Sequence, residues 1–187
     1  MIEDIKNALS VLRSGGIVCY PTDTIWGVGC DATNAKAIEA IYTLKQRTEI
    51  MPLLILVDSE AMLERYVENP PEIAFELFEL SEKPITIIFE KAINLPENLI
   101  GKDGSIGIRI CREPFTQKLI QQLRKPIVST SANIHSKPNP QYYDQIPETI
   151  LTQVDYVVLH RREDRSPQEV SSIIKLTNSG ICTIIRK

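Results

Sequence analysis

The sequence predicts an α/β fold, a twisted mixed β-sheet with helices packed on its faces. Three observations carry that expectation. Strand-like runs recur at Leu53–Val57, Ile85–Phe89 and Ile106–Cys111, the first continuously apolar, the pattern of a strand covered on both sides. Between them, apolar residues return at helical spacing. The two kinds of segment do not alternate strictly, and two final apolar runs flank Asn178-Ser179-Gly180, a hairpin signal, so the sheet is expected to be mixed rather than wholly parallel.

Taken in order, Ile2, Ile5, Leu9 and Leu12 mark a first helix that Gly15-Gly16 ends. Ile17 to Tyr20 reads as a strand, followed by a loop of turn formers, hydroxyls and one Trp through Asp31. Asn34 caps a second helix running through Lys45, with Ala37, Ile38, Ile41 and Leu44 on its buried face. After the Leu53–Val57 strand, Pro70-Pro71 opens a helix carrying Ile73, Leu77 and Leu80. The strands Ile85–Phe89 and Ile106–Cys111 precede a helix from Pro114 through Leu123. Ile127–Thr130 is a short strand, and a loop rich in Ser, Asn and Pro reaches to about Pro140. Pro147 to Gln153 reads as helical, and Tyr156–Leu159, Val170–Leu176 and Ile181–Arg186 as strands. With no repeat or linker to divide it, the whole chain, residues 1–187, is expected to form a single domain.

Composition bounds the function. Of 187 residues 43% are apolar and 24% charged, a globular balance. No apolar run has transmembrane length, and Glu3 and Asp4 stand where a signal peptide would carry cations, so a cytoplasmic location without membrane contact is expected. A net charge of -3 disfavours strong non-specific binding to nucleic acid. Cys19, Cys30, Cys111 and Cys182 lack ligand spacing; three of them sit in β-like runs, as small buried hydrophobes do. His135 and His160 have no nearby ligand partners, so neither a zinc site nor a Ser/His triad finds support.

Several residues invite a chemical reading. Gly27-Val28-Gly29-Cys30-Asp31-Ala32 matches a dinucleotide pattern, but about six residues separate it from the preceding strand, so the glycines read better as a close backbone turn. Ser172-Ile173-Ile174-Lys175 spells S-x-x-K inside an apolar β-like run and reads as chance. Lys45 and Arg47 diverge on a continuous helix and converge on one ligand only if the helix ends there; taken alone they read as solvated cations favoured by the helix dipole. A solvated Lys45 would matter to turnover far more than to folding. Ser131 and Asn133 share one face of an extended chain and could hold phosphate or ribose, although in isolation they read as turn residues. Arg109, at mid-strand, needs a partner or a water-filled cleft and suits a carboxylate; the other reading is an edge-strand arginine facing solvent. Arg161, Arg162 and Arg165, interleaved with Glu163 and Asp164, read as a solvated loop.

Together, five motifs resemble the YrdC family over nearly the whole chain: Tyr20-Pro21-Thr22-Asp23-Thr24-Ile25-Trp26-Gly27-Val28-Gly29; Lys45-Gln46-Arg47 with Pro52-Leu53; Pro84-Ile85-Thr86; Ser105-Ile106-Gly107-Ile108-Arg109; and Ser129-Thr130-Ser131-Ala132-Asn133. The resemblance implies an open α/β fold with a concave, positively lined groove. It implies a reaction in which L-threonine, bicarbonate and ATP give threonylcarbamoyl-AMP and pyrophosphate, a product that feeds tRNA threonylcarbamoyladenosine modification through a downstream transferase complex. It places Lys45, Arg47, Ser131 and Asn133 in the catalytic nucleotide signature, with Ser105 and Arg186 as further ATP residues. Thr24, Arg109 and Ser171 fall to threonine. Mg²⁺ held mainly by ATP phosphates is expected, without a protein metal cage. The chain departs from the family pattern at Thr48, Met51 and Leu56, and Ile134 to Pro140 is a candidate lid. Two other readings stand beside this one: a double-stranded RNA or tRNA-binding module, which leaves RNA contact open, and a family paralogue with another nucleotide-dependent role.

Overall fold

The computed structural model describes residues 1–46, 53–134, 136–166 and 168–187. In chain order the elements are α1 (Ile2–Arg13), β1 (Val18–Tyr20), β2 (Gly27–Gly29), α2 (Ala35–Leu44), β3 (Leu54–Val57), α3 (Glu60–Leu63), α4 (Ile73–Leu80), β4 (Ile85–Phe89) and β5 (Ile106–Ile110). There follow α5 (Pro114–Leu123), β6 (Ile127–Ser131), α6 (Glu148–Leu151), β7 (Tyr156–Val157), β8 (Ser172–Leu176) and β9 (Cys182–Arg186). The strands form one mixed sheet in the order β7-β1-β2-β6-β3-β5-β4-β8-β9. Neighbours β1/β7, β3/β5 and β4/β8 are parallel, and the other pairs antiparallel.

Register decides what each face of the sheet carries, because paired residues and residues two apart on a strand point the same way. Gly27 pairs with Ser131 and Leu54 with Ser129. Leu54 also pairs with Gly107, two residues before Arg109, and Gly107 with Ile88, two residues after Thr86. Thr86 pairs with Ile173, and Ile173 with Arg186. One face therefore carries hydroxyls and two guanidinium groups drawn from four strands, β4, β5, β6 and β9. The opposite face carries Ile55, Ile87, Ile108, Val128 and Ile174, all buried. There α5 packs on β3, α3 on β3 and β5, and α1 on α5, β1 and β7. Asp4 of α1 is buried, but its carboxylate accepts from the Tyr156 hydroxyl and from the Leu159 and His160 amides, which pins the segment after β7.

Most predicted elements are present, and the differences have local causes. The Gly27–Gly29 segment is a strand rather than a turn. Two glycines give it little β preference, yet close approach requires them: a Cβ on Gly29 would sit 1.8 Å from the Val128 carbonyl oxygen. The short helices α3 and α6 and a 3₁₀ turn at Tyr143–Gln145 are too brief for periodicity to reveal in full. In α4 the buried residues are Ala74 and Phe78, while Ile73 and Leu80 are exposed, so the inward face is turned by one residue from the one the apolar pattern suggested.

The cysteines divide differently from the sequence expectation. Cys19, Cys30 and Cys111 are buried, and Cys182, though on β9, is exposed. Burial pushes each of the three buried thiols up to about 12, so their thiolates are scarce at pH 8. A disulfide-exchange reagent at that pH is expected to titrate one thiol quickly in the native protein and all four after urea unfolding; a second fast thiol would contradict the packing of β1, β5 or the β2–α2 turn.

Candidate functional site

A cleft of about 250 Å³ opens on the hydroxyl-bearing face of the sheet. Its polar lining comes from the turn after β1 (Thr22, Thr24), from β6 (Ser129, Thr130, Ser131), from β5 (Arg109), from the segment before β8 (Ser171) and from β9 (Arg186). Ile25, Trp26, Leu53, Leu54, Val170 and Ile173 supply its apolar walls.

The turn after β1 folds on its own hydroxyls. Thr22 Oγ1 accepts from the Thr24 amide at 3.0 Å, lies 2.9 Å from Thr24 Oγ1 and donates to the Ile25 carbonyl at 2.8 Å. This local bonding fixes a loop that the flanking strands alone would leave free. The loop is also held from outside: Thr116 Oγ1 donates to the Pro21 carbonyl and Arg161 Nη1 to the Thr22 carbonyl.

Arg109 occupies a central strand, which rules out the edge-strand reading. Its Nε lies 3.2 Å from Asp23 Oδ1, with both side chains almost wholly enclosed. Arg186, three strands along on the edge strand β9, donates from Nε and Nη2 to the Ser171 carbonyl. Burial pushes the Arg186 guanidinium below its ordinary range, and the charge of Arg109 pushes the same way. Two guanidinium groups close enough to feel each other, with the Asp23 carboxylate beside Arg109 alone, leave the cleft short of negative charge. That is an arrangement suited to an anionic ligand. Ser171 Oγ sits 2.8 Å from Thr86 Oγ1, a buried hydroxyl pair at the cleft wall.

The predicted signature is partly assembled. The helix α2 does end at Leu44, with Lys45 at its C-cap and Gln46 in the left-handed region at φ 52°. Lys45 is 1% exposed. Its Nζ donates to the Ser131 carbonyl at 2.5 Å, to Asn133 Oδ1 at 2.6 Å and to the Asn133 carbonyl. Ser131 Oγ donates to the same Asn133 Oδ1 at 2.6 Å. The expectation of a solvated Lys45 is thus corrected: the apolar end of α2 carries the ammonium under the tip of β6, where three oxygens surround it. Asn133 Nδ2 in turn donates to the Lys137 carbonyl and to Asn139 Oδ1, tying the candidate lid to the tip. Arg47, Thr48 and Met51 lie outside the described residues.

Thr24, Arg109, Ser131, Ser171 and Arg186 all line the cleft, and Lys45 and Asn133 stand behind Ser131. Ser105 is not brought there; its hydroxyl donates to Asp103 Oδ1 at the far end of β5. Leu56 pairs with Arg109 on the neighbouring strand and is fully buried beside it. Sequence reasoning gave no role to Thr22, Asp23 or Thr86, although the alternation of Asp23 with two threonines hinted at opposed side chains. The arginine-rich loop is corrected too, since its cations are spent internally. Arg162 donates to the Val157 and Val158 carbonyls and covers the Tyr143 ring, and that ring meets Trp26 of the cleft wall. Arg165 pairs with Asp144 and Arg161 with Asp164.

Known proteins share this architecture. A family model described as Sua5, YciO and YrdC, telomere recombination, matches residues 10–187. The chain is 30% identical over 157 residues to a threonylcarbamoyl-AMP synthase of Pseudoalteromonas translucida, across 82% of this chain and 84% of the relative. It is similar to the crystal structure of P. abyssi Sua5 complexed with L-threonine, at 26% identity and a TM-score of 0.80, across 92% of this chain and 50% of that one. It therefore spans about half the length of that relative. E. coli YciO, 24% identical with a TM-score of 0.85, shares the fold across 100% of this chain and 90% of its own. No helix among the described residues is long and apolar enough to cross a membrane.

Proposed function

Because the chain belongs to the Sua5–YciO–YrdC family, we propose that it is a nucleotidyltransferase that makes threonylcarbamoyl-AMP and pyrophosphate from L-threonine, bicarbonate and ATP. The product would supply tRNA threonylcarbamoyladenosine modification, consumed by a tRNA-modifying transferase. One observation carries the reading: Arg109 and Arg186 face a single hydroxyl-lined cleft that holds too little negative charge of its own.

In this reading the threonine amine bonds to the carbon of bicarbonate with loss of water, giving a carbamate. A carbamate oxygen then attacks the α-phosphorus of ATP, the bond from that phosphorus to the bridging oxygen breaks, and pyrophosphate leaves. The protein's work is alignment and charge neutralisation. Arg109 takes the threonine carboxylate, with the Thr24 and Ser171 hydroxyls beside it. Arg186 and Ser131 face the nucleotide, Lys45 and Asn133 hold Ser131 in place, and Arg47 completes the cationic set. The polar side chains lining the cleft are hydroxyls, guanidiniums and the Asn139 amide, donors suited to phosphate oxygens. Mg²⁺ would accordingly arrive on the triphosphate and shield the charge of the leaving pyrophosphate.

The test is pyrophosphate release by the purified protein given ATP, bicarbonate and L-threonine, with the adenylate identified by mass. Threonine-dependent release is expected, and its absence removes the reading. Arg186→Ala is expected to lower kcat/KM for ATP by about tenfold to a hundredfold, the worth of a lost charge-assisted contact. An unchanged value would take Arg186 out of the site.

A further inference from the structure

We infer that Asp23 is a positioning residue for Arg109, aiming its guanidinium into the cleft by holding its Nε edge. The inference rests on the reading above, in which Arg109 receives the threonine carboxylate. Asp23 does not line the cleft. It lines a cavity of about 180 Å³ with Phe78, Pro84, Ile110 and Arg112, and a second of about 790 Å³ that shares Ile25, Asn139 and Val170 with the cleft. The Arg109 side chain lines the cleft, with its Nε edge toward Asp23 Oδ1 at 3.2 Å and its Nη2 donating to Thr22 Oγ1 at 3.4 Å. Two edges of a planar fork are fixed by the loop after β1, and Nη1 remains for a ligand.

Charge, more than bond geometry, holds the pair. Asp23 Oδ1 and Arg109 Nε are buried without completing a directional hydrogen bond, while Asp23 Oδ2 accepts from the Arg112 amide at 3.3 Å. The backbone of the segment after β5 therefore orients the carboxylate, and the carboxylate orients the guanidinium. It also offsets one of two neighbouring cations. Without it, Arg109 and Arg186 would face each other in an enclosed site with no fixed counter-charge, and Arg109 would lose its direction.

Asp23→Asn keeps the shape and removes the charge. Its threonine KM is expected to rise about tenfold to thirtyfold, with the ATP KM within about twofold and kcat within about threefold of the parent. Asp23→Glu is expected to recover part of the loss. A ligand-free readout accompanies the kinetics: the ¹⁵N-edited Nε–H signal of Arg109, assigned by its disappearance in Arg109→Lys. Its exchange with water is expected to quicken about tenfold or more in Asp23→Asn. An unchanged threonine KM, an equal rise for threonine and ATP, or unaltered Nε–H exchange overturns the inference. If the parent protein binds no threonine in calorimetry, the proposed function fails, and the exchange measurement alone decides the role of Asp23.

Discussion

Lys45→Met is expected to destabilise the protein by about 3–5 kcal/mol and to cut turnover by about a hundredfold or more. The ammonium is enclosed and serves three oxygens of the β6 tip. Methionine fills a similar volume but donates nothing, so the Ser131 and Asn133 carbonyls and Asn133 Oδ1 lose a charge-assisted donor inside the protein. Asn133 would then lose the fixed orientation that lets it accept from Ser131 Oγ and donate to Lys137 and Asn139. A displacement of about 1 Å at a reacting site costs on the order of a hundredfold in rate. For a chain of this size the stability loss corresponds to a melting temperature lower by about 6–20 °C. Thermal melts and pyrophosphate release measured on the same preparation check the claim. A variant with parental melting and lost turnover would return Lys45 to direct contact with phosphate, the role its sequence position suggests.

That contrast marks where the sequence is legible. The apolar runs of β3, β4 and β5 are unambiguous because both faces of a central strand are buried, and Asn34 announces α2 because its side chain does accept from the Lys36 and Ala37 amides. The Ser131/Asn133 pair is legible in its residue types only: β6 ends at Ser131 and the Asn133 amide donates back to the Ser131 carbonyl, so a tight turn rather than extended i, i+2 spacing brings the two side chains together. What local pattern could not reveal depends on strand order. Arg109 is equally compatible with an edge and with a centre until β5 is placed between β3 and β4. Lys45 looks solvated until α2 is seen to end beneath a strand tip 86 residues away. The arginines of the loop after β7 look like a surface cluster until Tyr143, Asp144 and the Thr22 carbonyl are found against them. The oxygens around Lys45 and the partners of Arg109 and Arg165 are distant in sequence, and spacing rules carry no information about them.

Gly29→Ala is expected to be the most damaging of the single-methyl substitutions, lowering stability by about 3 kcal/mol or more and abolishing threonine-dependent turnover in the same step. The added carbon would lie 1.8 Å from the Val128 carbonyl oxygen and about van der Waals overlap distance, 2.9 Å, from the Tyr20 hydroxyl. That hydroxyl donates to the same carbonyl at 3.0 Å. None of these atoms is the free end of a flexible side chain. Relief requires β2 to move away from β6, and overpacking against backbone costs more than the usual core methylene. The functional loss follows from register: Gly27 pairs with Ser131, and Trp26 accepts from the Ala132 amide, so a displaced β2 carries one cleft wall and the β6 tip apart. Gly27→Ala is the internal comparison. There the nearest atom is the Ser129 hydroxyl at 3.1 Å, on a side chain that can rotate, although the Thr130 carbonyl follows at 3.3 Å. It should keep most of the stability and lose activity chiefly through the cleft, whose wall Gly27 helps to form. Urea denaturation midpoints for the two variants, set beside their kcat/KM values, separate the effects. Equal stability of the two would mean that the β2–β6 approach is looser than the glycine geometry requires.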